Sequence, residues 1–423
     1  MSSTTGVLSS SESSPWILKL HQGLFFLYLV SLLSSMSGME IFSTLCGLFT
    51  LLTWRVPERN GLLWKPVVAF VAVVVVSVLL GEASLDQKLY DLSRLRFFIL
   101  YALLFLQLRN WVGVSQWERV LLWVGLLMGV YGVFQHFMPL DLVRPEGKKI
   151  FRYAIQSEEI GPLVIGTFNH HLTFSNIFIL HGLFLLALGW NRNPRSWSFM
   201  GVGALLLLCC IWTQSRIGWV AVPASLLVLG WSHGRKWVLG LCGFAVVFFG
   251  LCYLLDSGFQ QRLDRTFFQQ DQLYNAGPRQ RLWSVQWQMF RSSPWLGLGW
   301  NNNERFSKEW VDRAYPEQPE NFYGHAHSMP LQILASTGLL GFIAFYWLWF
   351  AVFSQCWRLI RCSRKGSTAW AVGWGLMAAF IGFHIQGLTQ WNFGDAEVLH
   401  SVIFYWAVLA YFDSQRLPHP APL

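Results

Sequence analysis

Two histidines stand where a long polar stretch of the sequence gives way to an apolar run. His325 and His327 lie in the segment His325-Ala326-His327-Ser328, and the run begins at Met329. Imidazole titrates near neutral pH and is the side chain most often used to take a proton from a hydroxyl group. We therefore interpret this pair as a candidate general base, with a surface or helix-capping role as the alternative. No zinc-site spacing accompanies the pair, so we predict no metal there.

A single arginine stands between two apolar runs with almost no loop around it. Arg216 follows Thr213, Gln214 and Ser215 and begins the second run. A charge at the edge of a membrane is costly unless it has a partner. One interpretation is a structural arginine paired with an acidic residue. The other is an anion site, because a guanidinium beside the N–H groups that begin a helix binds phosphate.

Further polar residues are predicted on the same side of the molecule. His170 and His171, preceded by Asn169, open another apolar run, and Arg281 begins a helix in the long polar stretch. Arginines together with a histidine on one membrane face suggest diphosphate chemistry. We keep His170, His171 and Asn169 as possible accessory residues.

The acidic residues give a weaker chemical signal. Asp395 and Glu397 precede the last apolar run, and we interpret them as salt-bridge partners rather than as a catalytic pair. The sequence has no Asp-x-Asp motif and no glycine-rich phosphate loop of the kind that holds a metal or a nucleotide. We therefore expect no metal and no cofactor.

The composition excludes an ordinary soluble enzyme, a disordered protein and a nucleic-acid binder of the usual kind. The chain has 423 residues, of which 54% are hydrophobic and 13% are charged. A soluble domain averages about 25% charged residues, so this chain has too little charge to cover its surface in water. Its 24 tryptophans and 34 phenylalanines agree with aromatic rings at membrane interfaces. The remaining class is a helical protein that crosses the membrane many times.

Twelve apolar runs predict an all-α integral membrane protein with about 12 transmembrane helices. A spanning helix needs about 20 apolar residues, and most of the runs approach that length. The runs at 39–54 and 399–412 are short enough to be tilted or to enter only half of the membrane. The runs cover roughly residues 16–36, 39–54, 66–82, 93–108, 120–137, 171–190, 198–214, 217–232, 238–255, 329–353, 371–390 and 399–412.

Positive charge is concentrated in alternate loops, which predicts the orientation of the chain. Lysine and arginine collect in the cytoplasmic loops of membrane proteins. Five short loops and the C-terminal tail carry this excess, whereas the loops between them have mixed signs or are acidic. We therefore predict that both termini lie in the cytoplasm. The basic residues concerned are Arg55, Arg59, Lys65, Arg109, Arg119, Arg192, Arg195, Arg235, Lys236, Arg358, Arg361, Arg364, Lys365 and Arg416.

This topology divides the chain into three parts. Residues 1–255 form transmembrane helices 1 to 9, residues 256–328 form a long periplasmic loop, and residues 329–423 form helices 10 to 12 with a cytoplasmic tail. The loop is partly helical, because apolar residues recur with helical spacing after Arg281 and predict an amphipathic helix against the outer roof of the bundle. A second outer loop covers about residues 138–170.

Four segments of the sequence form a set of motifs. They are Gly166-Thr167-Phe168-Asn169, Ser215-Arg216, Arg281-x-Trp283 followed by Pro294-Trp295-Leu296-Gly297-Leu298-Gly299, and His327-Ser328-Met329-Pro330-Leu331-Gln332-x-Leu334 followed by Gly338-Leu339-Leu340-Gly341. The set covers about residues 165–345 and resembles the O-antigen ligase/polymerase superfamily. The last segment is the most specific, although Ser328 stands where the family usually has asparagine.

The resemblance implies a reaction and the residues that carry it. Members of the family join a glycan, carried on undecaprenyl diphosphate, to an acceptor. Arg216 and Arg281 correspond to diphosphate-binding positions and His327 to the catalytic base, whereas His325 has no firm equivalent.

By this resemblance we expect an O-antigen ligase in the bacterial inner membrane, with its active site on the periplasmic side. It transfers O-antigen polysaccharide from undecaprenyl diphosphate to a sugar hydroxyl of lipid A–core in lipopolysaccharide biosynthesis, without a metal and with inversion at the anomeric carbon. An O-antigen polymerase or a protein O-oligosaccharyltransferase differs in the acceptor and stays an alternative. A lipid-linked sugar transporter is disfavoured because no confident span has a charged residue at its middle.

Overall fold

All regular structure is helical in the residues that the computed structural model describes, which are 15–52, 61–110, 113–138, 141–143, 163–267, 277–317 and 323–415. Each of the twelve predicted apolar runs contains a helix, which confirms the all-α class. Five described helices are long and apolar enough to cross a membrane, and four other apolar helices are shorter. Twelve crossings and a periplasmic loop remain predictions. Most of the outer loop predicted at 138–170 lies outside the described residues.

Seventeen helices follow one another in the described ranges. They are α1 (Pro15–Ser34), α2 (Met36–Leu52), α3 (Trp64–Leu80), α4 (Leu85–Ser93), α5 (Arg96–Asn110), α6 (Val114–Phe137), α7 (His171–Asn191), α8 (Trp197–Trp212), α9 (Arg216–Trp231), α10 (Arg235–Leu255), α11 (Ser257–Phe267), α12 (Gly277–Ser292), α13 (Asn302–Arg305), α14 (Ser307–Ala314), α15 (Met329–Cys362), α16 (Thr368–Gly387) and α17 (Ala396–Ser414).

Helix α7 is the centre of the bundle, and nearly all of its side chains are buried. Helices α8 and α16 pack against it. The contact with α8 is close because glycines meet there: a Cβ added to Gly203 would lie 2.7 Å from the carbonyl oxygen of Gly182. Small residues let membrane helices approach in this way. Helix α10 is the opposite case, since none of its residues is buried, and its apolar surface is suited to contact with lipid.

The basic loops predicted from the sequence meet at one end of the bundle, here named the basic end. The N–H of Asn193 donates to the carbonyl oxygen of Gly366 at 2.9 Å, and Arg192 forms an ion pair with Glu118. The alternation of loop charges therefore corresponds to a division between two ends of the molecule. Arg55, Arg59 and Arg416 lie outside the described residues. Further contacts at this end join Gly61 to Gln355, Asn191 to His233, and Arg358 to Asp413.

The mixed-charge loops meet at the other end, here named the site end. Helix α3 leads from the basic end to this end, where the hydroxyl of Ser77 donates to the carbonyl oxygens of Leu296 and Ser336, both at 2.9 Å. Asp91 accepts from Arg305 at 2.7 Å and from Asn301 at 2.8 Å. The loop after α12 is thereby tied to α3 and α4.

Helix α15 is broken at Gly338, which has φ of 64° and ψ of −165°. The loop at 294–299 fills the break, so the backbone groups that leave the helix are paired with the loop backbone. A Cβ on Gly338 would overlap the backbone of Trp295, and a Cβ on Gly297 would overlap the backbone of Ser336. The four hydrogen bonds run from Leu298 to Ala335 (3.0 Å), Gly299 to Ser336 (3.0 Å), Leu339 to Pro294 (2.8 Å) and Leu340 to Trp295 (3.2 Å).

The predicted amphipathic helix of the long loop is α12. Its residues Leu282, Val285 and Met289 are buried and form a small core with Val311 of α14 and Ala335 of α15. This apolar stripe has helical spacing, as the sequence predicted. Helix α12 therefore packs against the first part of α15, before the break at Gly338 and next to the two histidines.

Candidate functional site

His325 and His327 lie in a tight turn that leads into α15. The backbone of His327 is left-handed, with φ of 45°, a conformation that costs most residues free energy. Its N–H donates to Nδ1 of His325 at 3.1 Å, and the centroids of the two rings are 3.9 Å apart. Ser328 occupies the N-cap position of α15, but its side chain makes no capping hydrogen bond. The two histidines are therefore one structural unit.

The peptide between the two histidines is held from both sides. The N–H of Ala326 donates to Oε1 of Gln332 at 2.7 Å. The carbonyl oxygen of Ala326 accepts from Nε1 of Trp283 at 2.9 Å. Ala326 and Gln332 are fully buried, at 0% exposure. The turn is thus fixed by α12 and by the first turn of α15.

Arg216 begins α9 directly after a sharp turn. Ser215 caps the helix with its side chain and also accepts from Nε2 of Gln390 at 3.4 Å. Nδ1 of His171 donates to the carbonyl oxygen of Thr213 at 2.7 Å. Two neighbouring segments of the site end therefore hold the turn that presents the guanidinium.

Arg216 pairs with no acidic residue in the described part of the chain. The guanidinium has no carboxylate oxygen within 4 Å there, and its Nε is buried without a hydrogen-bond partner. The alternative of a structural arginine paired with an acid therefore receives no support from the described residues. A partly buried guanidinium at a helix N-terminus is suited to an anion.

A second arginine, which the sequence analysis did not select, stands beside the histidines. Arg279 is near the start of α12, and its charge helps to lower the pKa of His325 and of His327. The pKa of Arg279 is itself lowered, first by the surrounding protein atoms and then by the charge of Arg216. Its side chain is accessible to solvent. Arg279 is therefore close enough to interact electrostatically with both Arg216 and the histidine turn.

Arg281 has a different environment from Arg279. Its guanidinium carbon lies 5.8 Å from the ring centroid of Tyr315. Two helical residues that are two positions apart point about 200° away from each other. Arg279 and Trp283 are four positions apart and share a face, and this face meets the histidine turn. The diphosphate role that the resemblance gave to Arg281 remains a prediction.

Burial and positive charge keep both histidines of the turn neutral. The pKa of His327 is lowered to about 3, first by burial and then by the charges of His325, Arg279 and His170. The pKa of His325 is lowered to about 4, first by burial and then by Arg279 and His170. Both imidazoles are therefore neutral at neutral pH, and each has one unprotonated ring nitrogen. Strongly shifted pKa values in a cleft are typical of functional sites.

Two of the three accessory candidates border this site. His170 is the N-cap of α7, where its Nδ1 accepts from the N–H of Leu172 at 3.1 Å, and its ring centroid is 4.6 Å from that of His171. Asn169 has a different contact: its Nδ2 donates to the sulfur of Met36 at 3.4 Å. Asn169 is therefore directed towards the start of α2.

The residues His170, Arg216, Arg279, His325 and His327 form what we name the histidine–arginine cluster. Among the described residues, no acidic side chain contributes to the pKa shifts of its members. Nor does any group of three His, Cys, Asp or Glu side chains there have the arrangement of a metal site. The cluster combines a neutral base with unneutralised positive charge. Its chemistry suits a ligand with a strongly negative group next to a hydroxyl group.

The interpretation of Asp395 and Glu397 as salt-bridge partners is wrong for the described residues. Neither carboxylate has a basic group within 4 Å there. The pKa of Asp395 is raised to about 7, first by burial and then by Glu397 and Glu304, while Arg94 opposes the shift. Arg94 instead donates to a backbone carbonyl and to a tyrosine hydroxyl.

The described residues form helices, five of which are long and apolar enough to cross a membrane, and they bring histidines and arginines together in one cluster. A family model described as O-antigen ligase matches residues 201–346, a stretch that runs from α8 into α15 and includes Arg216, Arg279, His325 and His327. Over this stretch the chain is similar to the O-antigen ligase family. The comparison with curated proteins gives no match.

Proposed function

We propose that the protein is an O-antigen ligase. It transfers O-antigen polysaccharide from undecaprenyl diphosphate to a sugar hydroxyl of lipid A–core. The observation that carries the proposal is the histidine–arginine cluster, in which the neutral His327 lies near Arg279 and Arg279 lies near Arg216. Neither arginine forms an ion pair with an acid in the described ranges, so both can bind the diphosphate of the donor.

The arginines act on the leaving group. When the bond between the anomeric carbon and the diphosphate oxygen breaks, negative charge develops on the departing undecaprenyl diphosphate. Arg216 and Arg279 stabilise that charge, as preorganised positive groups do in other transfer reactions. Arg281 stays a candidate for the same ligand, provided that its side chain leaves Tyr315.

His327 acts on the acceptor. Its neutral imidazole takes the proton from the acceptor hydroxyl while the oxygen attacks the anomeric carbon. One bond forms as the bond to the diphosphate breaks on the opposite face, so the anomeric configuration inverts. The imidazolium is then next to the released diphosphate, to which the proton can pass. A general base of this kind typically contributes about 10²–10⁴ in rate.

The proposal places the site end on the periplasmic side of the bacterial inner membrane. The support is the concentration of lysine and arginine in the loops of the basic end, which is typical of cytoplasmic loops. The donor diphosphate and the acceptor sugar then meet at the periplasmic surface.

The function is tested with purified protein in liposomes, in excess EDTA. The substrates are undecaprenyl-diphosphate-linked O-antigen polysaccharide and lipid A–core. We expect lipopolysaccharide with a full-length polysaccharide. Growth of the lipid-linked glycan by single repeat units, without transfer to lipid A–core, would show a polymerase instead. Transfer to protein would show an oligosaccharyltransferase, and dependence on added Mg²⁺ or Mn²⁺ would overturn the metal-independent mechanism.

The role of His327 is tested by two neighbouring substitutions. His327→Ala should lower turnover by about 10²-fold or more, because the base is lost. His325→Ala is the matched control: it removes the acceptor of the His327 N–H but leaves the base, so the loss should be smaller. Full activity in well-folded His327→Ala protein would exclude the mechanism.

A further inference from the structure

A chain of three buried amide side chains ends at the histidine turn. Nε2 of Gln332 donates to Oδ1 of Asn303 at 3.1 Å, and Nδ2 of Asn303 donates to Oε1 of Gln286 at 2.7 Å. All three side chains have 0% exposure. Buried polar groups are costly unless they form hydrogen bonds, and the two bonds of this chain fix its members, although Nε2 of Gln286 at the far end has no partner. The chain joins α12, α13 and α15.

The first member of this chain holds the peptide that precedes His327. Oε1 of Gln332 accepts from Ala326 at 2.7 Å, while Trp283 binds the carbonyl oxygen of the same residue. A left-handed backbone at a residue other than glycine persists only where its surroundings determine it. The two hydrogen bonds to Ala326 therefore hold His327 in its left-handed conformation.

The same helix face also carries the arginine of the cluster. Arg279, Trp283 and Gln286 are spaced i, i+4 and i+7 on α12, so they form one stripe. Arg279, a member of the histidine–arginine cluster, lies at one end of the stripe. Gln286, the last member of the amide chain, lies at the other end. One rigid element therefore sets the distance between the anion-binding group and the histidine turn.

We propose that Gln332 is a positioning residue for the base, with Asn303 and Gln286 as its support. The inference rests on the proposed function and adds residues that the family motifs did not assign to a role. Gln332 touches no substrate; it acts through the Ala326 peptide. A small displacement of a reacting group costs about 10²-fold in rate, so the chain matters for turnover more than for donor binding.

The experiment compares two buried glutamines on the same helix. Gln332→Met removes both hydrogen bonds of the side chain while it keeps its approximate length. Gln355→Met is the matched control, because Gln355 is equally buried on α15 but binds the Gly61 carbonyl oxygen and Asp413 at the basic end. Hydrogen exchange of the peptide that spans residues 323–331 is measured for both, together with kcat, the KM for the donor and the thermal midpoint.

We expect faster exchange at 323–331 and a kcat that is about 10–100-fold lower in Gln332→Met, with a KM for the donor within about threefold of wild type. Gln355→Met should leave both the exchange and kcat unchanged, even if its thermal midpoint falls as much. Gln332→Glu keeps an acceptor for the Ala326 N–H and should recover most of the activity. The amide chain can reverse its direction to donate to the carboxylate, because Nε2 of Gln286 has no partner.

The outcomes separate this inference from the proposed function. Unchanged exchange at 323–331 in Gln332→Met would overturn the positioning role, whatever reaction the protein catalyses. An equal loss of kcat in Gln355→Met would also overturn it, because the effect would then be one of stability. If wild-type protein shows no glycan transfer but residues 323–331 still exchange faster in Gln332→Met, the proposed function is wrong. The role of Gln332 in holding the histidine turn is then still supported.

Discussion

At the scale of the residue, the main question is how a histidine with so low a pKa acts as a base. An imidazole with a pKa of about 3 is neutral at all physiological pH values but is a weak acceptor of protons. Burial is the largest cause of the shift, but part of it comes from the positive charge of Arg279, and that part is reversible. A diphosphate bound to the arginines would offset that charge. We therefore expect donor binding to raise the pKa of His327 and to strengthen the base when it is needed.

The pH profile tests this tuning. The neutral form of His327 is required, and a lowered pKa means that this form is lost only in acid. The acid limb of kcat/KM, which reports the free enzyme, should thus lie well below the ordinary histidine value of about 6.5. The limb of kcat, which reports the bound state, should lie at higher pH than that of kcat/KM. Arg279→Gln removes a positive neighbour and should move the kcat/KM limb upwards. An acid limb of kcat/KM near pH 6.5 that does not move in Arg279→Gln would show that burial and Arg279 do not lower the pKa of His327.

A comparison of two arginines tests which of them binds the diphosphate. Arg279→Gln should lower kcat/KM for the donor by about 10–100-fold, the usual value of a charge-assisted hydrogen bond. Arg281→Gln should have a smaller effect, because this side chain lies by Tyr315. Arg313→Gln is the control, since Arg313 has a similar position over the Trp310 ring and forms an exposed ion pair. A greater loss in Arg281→Gln than in Arg279→Gln would restore the assignment made from the resemblance.

At the scale of the element, three of the segments that carry site residues are each tied to the bundle by a buried amide. Gln332 holds the histidine turn, and Gln390 holds the turn before Arg216. Gln135 of α6 holds the segment before His170: its Oε1 accepts from Gly166 at 2.7 Å and its Nε2 donates to the Gly166 carbonyl oxygen at 3.0 Å. Loops are normally the more mobile parts of a protein. These contacts give the three segments fixed positions on the packed helices.

The break in α15 is the element that joins the long loop to the bundle, and Gly338 is its critical residue. Gly338→Ala should lower the thermal midpoint strongly and reduce turnover, because alanine disfavours a positive φ and its Cβ would overlap the backbone of Trp295. Gly201→Ala is the matched control, since a Cβ at that helical position meets nothing within 4 Å. There the substitution should be neutral or stabilising by about 0.5–1 kcal/mol. Equal midpoints for the two variants would show that the break tolerates a side chain.

At the scale of the whole molecule, local patterns predicted the elements, but not the contacts between them. The apolar runs and the loop charges are properties of neighbouring residues, and both appear in the structure as helices and as two ends. The choice between Arg279 and Arg281 depends on which face of α12 meets the histidine turn, and the amphipathic pattern of one helix does not contain that information. The amide chain from Gln332 could not be predicted for the same reason, since its neighbouring members are 29 and 17 positions apart in sequence. The prediction of salt bridges for Asp395 and Glu397 was wrong for the same reason, because it too depended on contacts between elements.

The orientation of the two ends in the membrane is the last prediction. In a background with the exposed Cys242 and Cys362 replaced by serine, Lys308→Cys reports the site end and Lys365→Cys the basic end; both lysines are exposed. A thiol reagent that does not cross the inner membrane should label intact spheroplasts at position 308 and not at 365, because the loops of the basic end carry the excess of lysine and arginine. Permeabilised cells provide the control in which both positions react. Labelling at 365 alone would reverse the orientation and move the histidine–arginine cluster to the cytoplasmic face. Labelling of both in intact spheroplasts would mean that the two ends are not separated by the membrane, and the multispanning topology itself would be wrong.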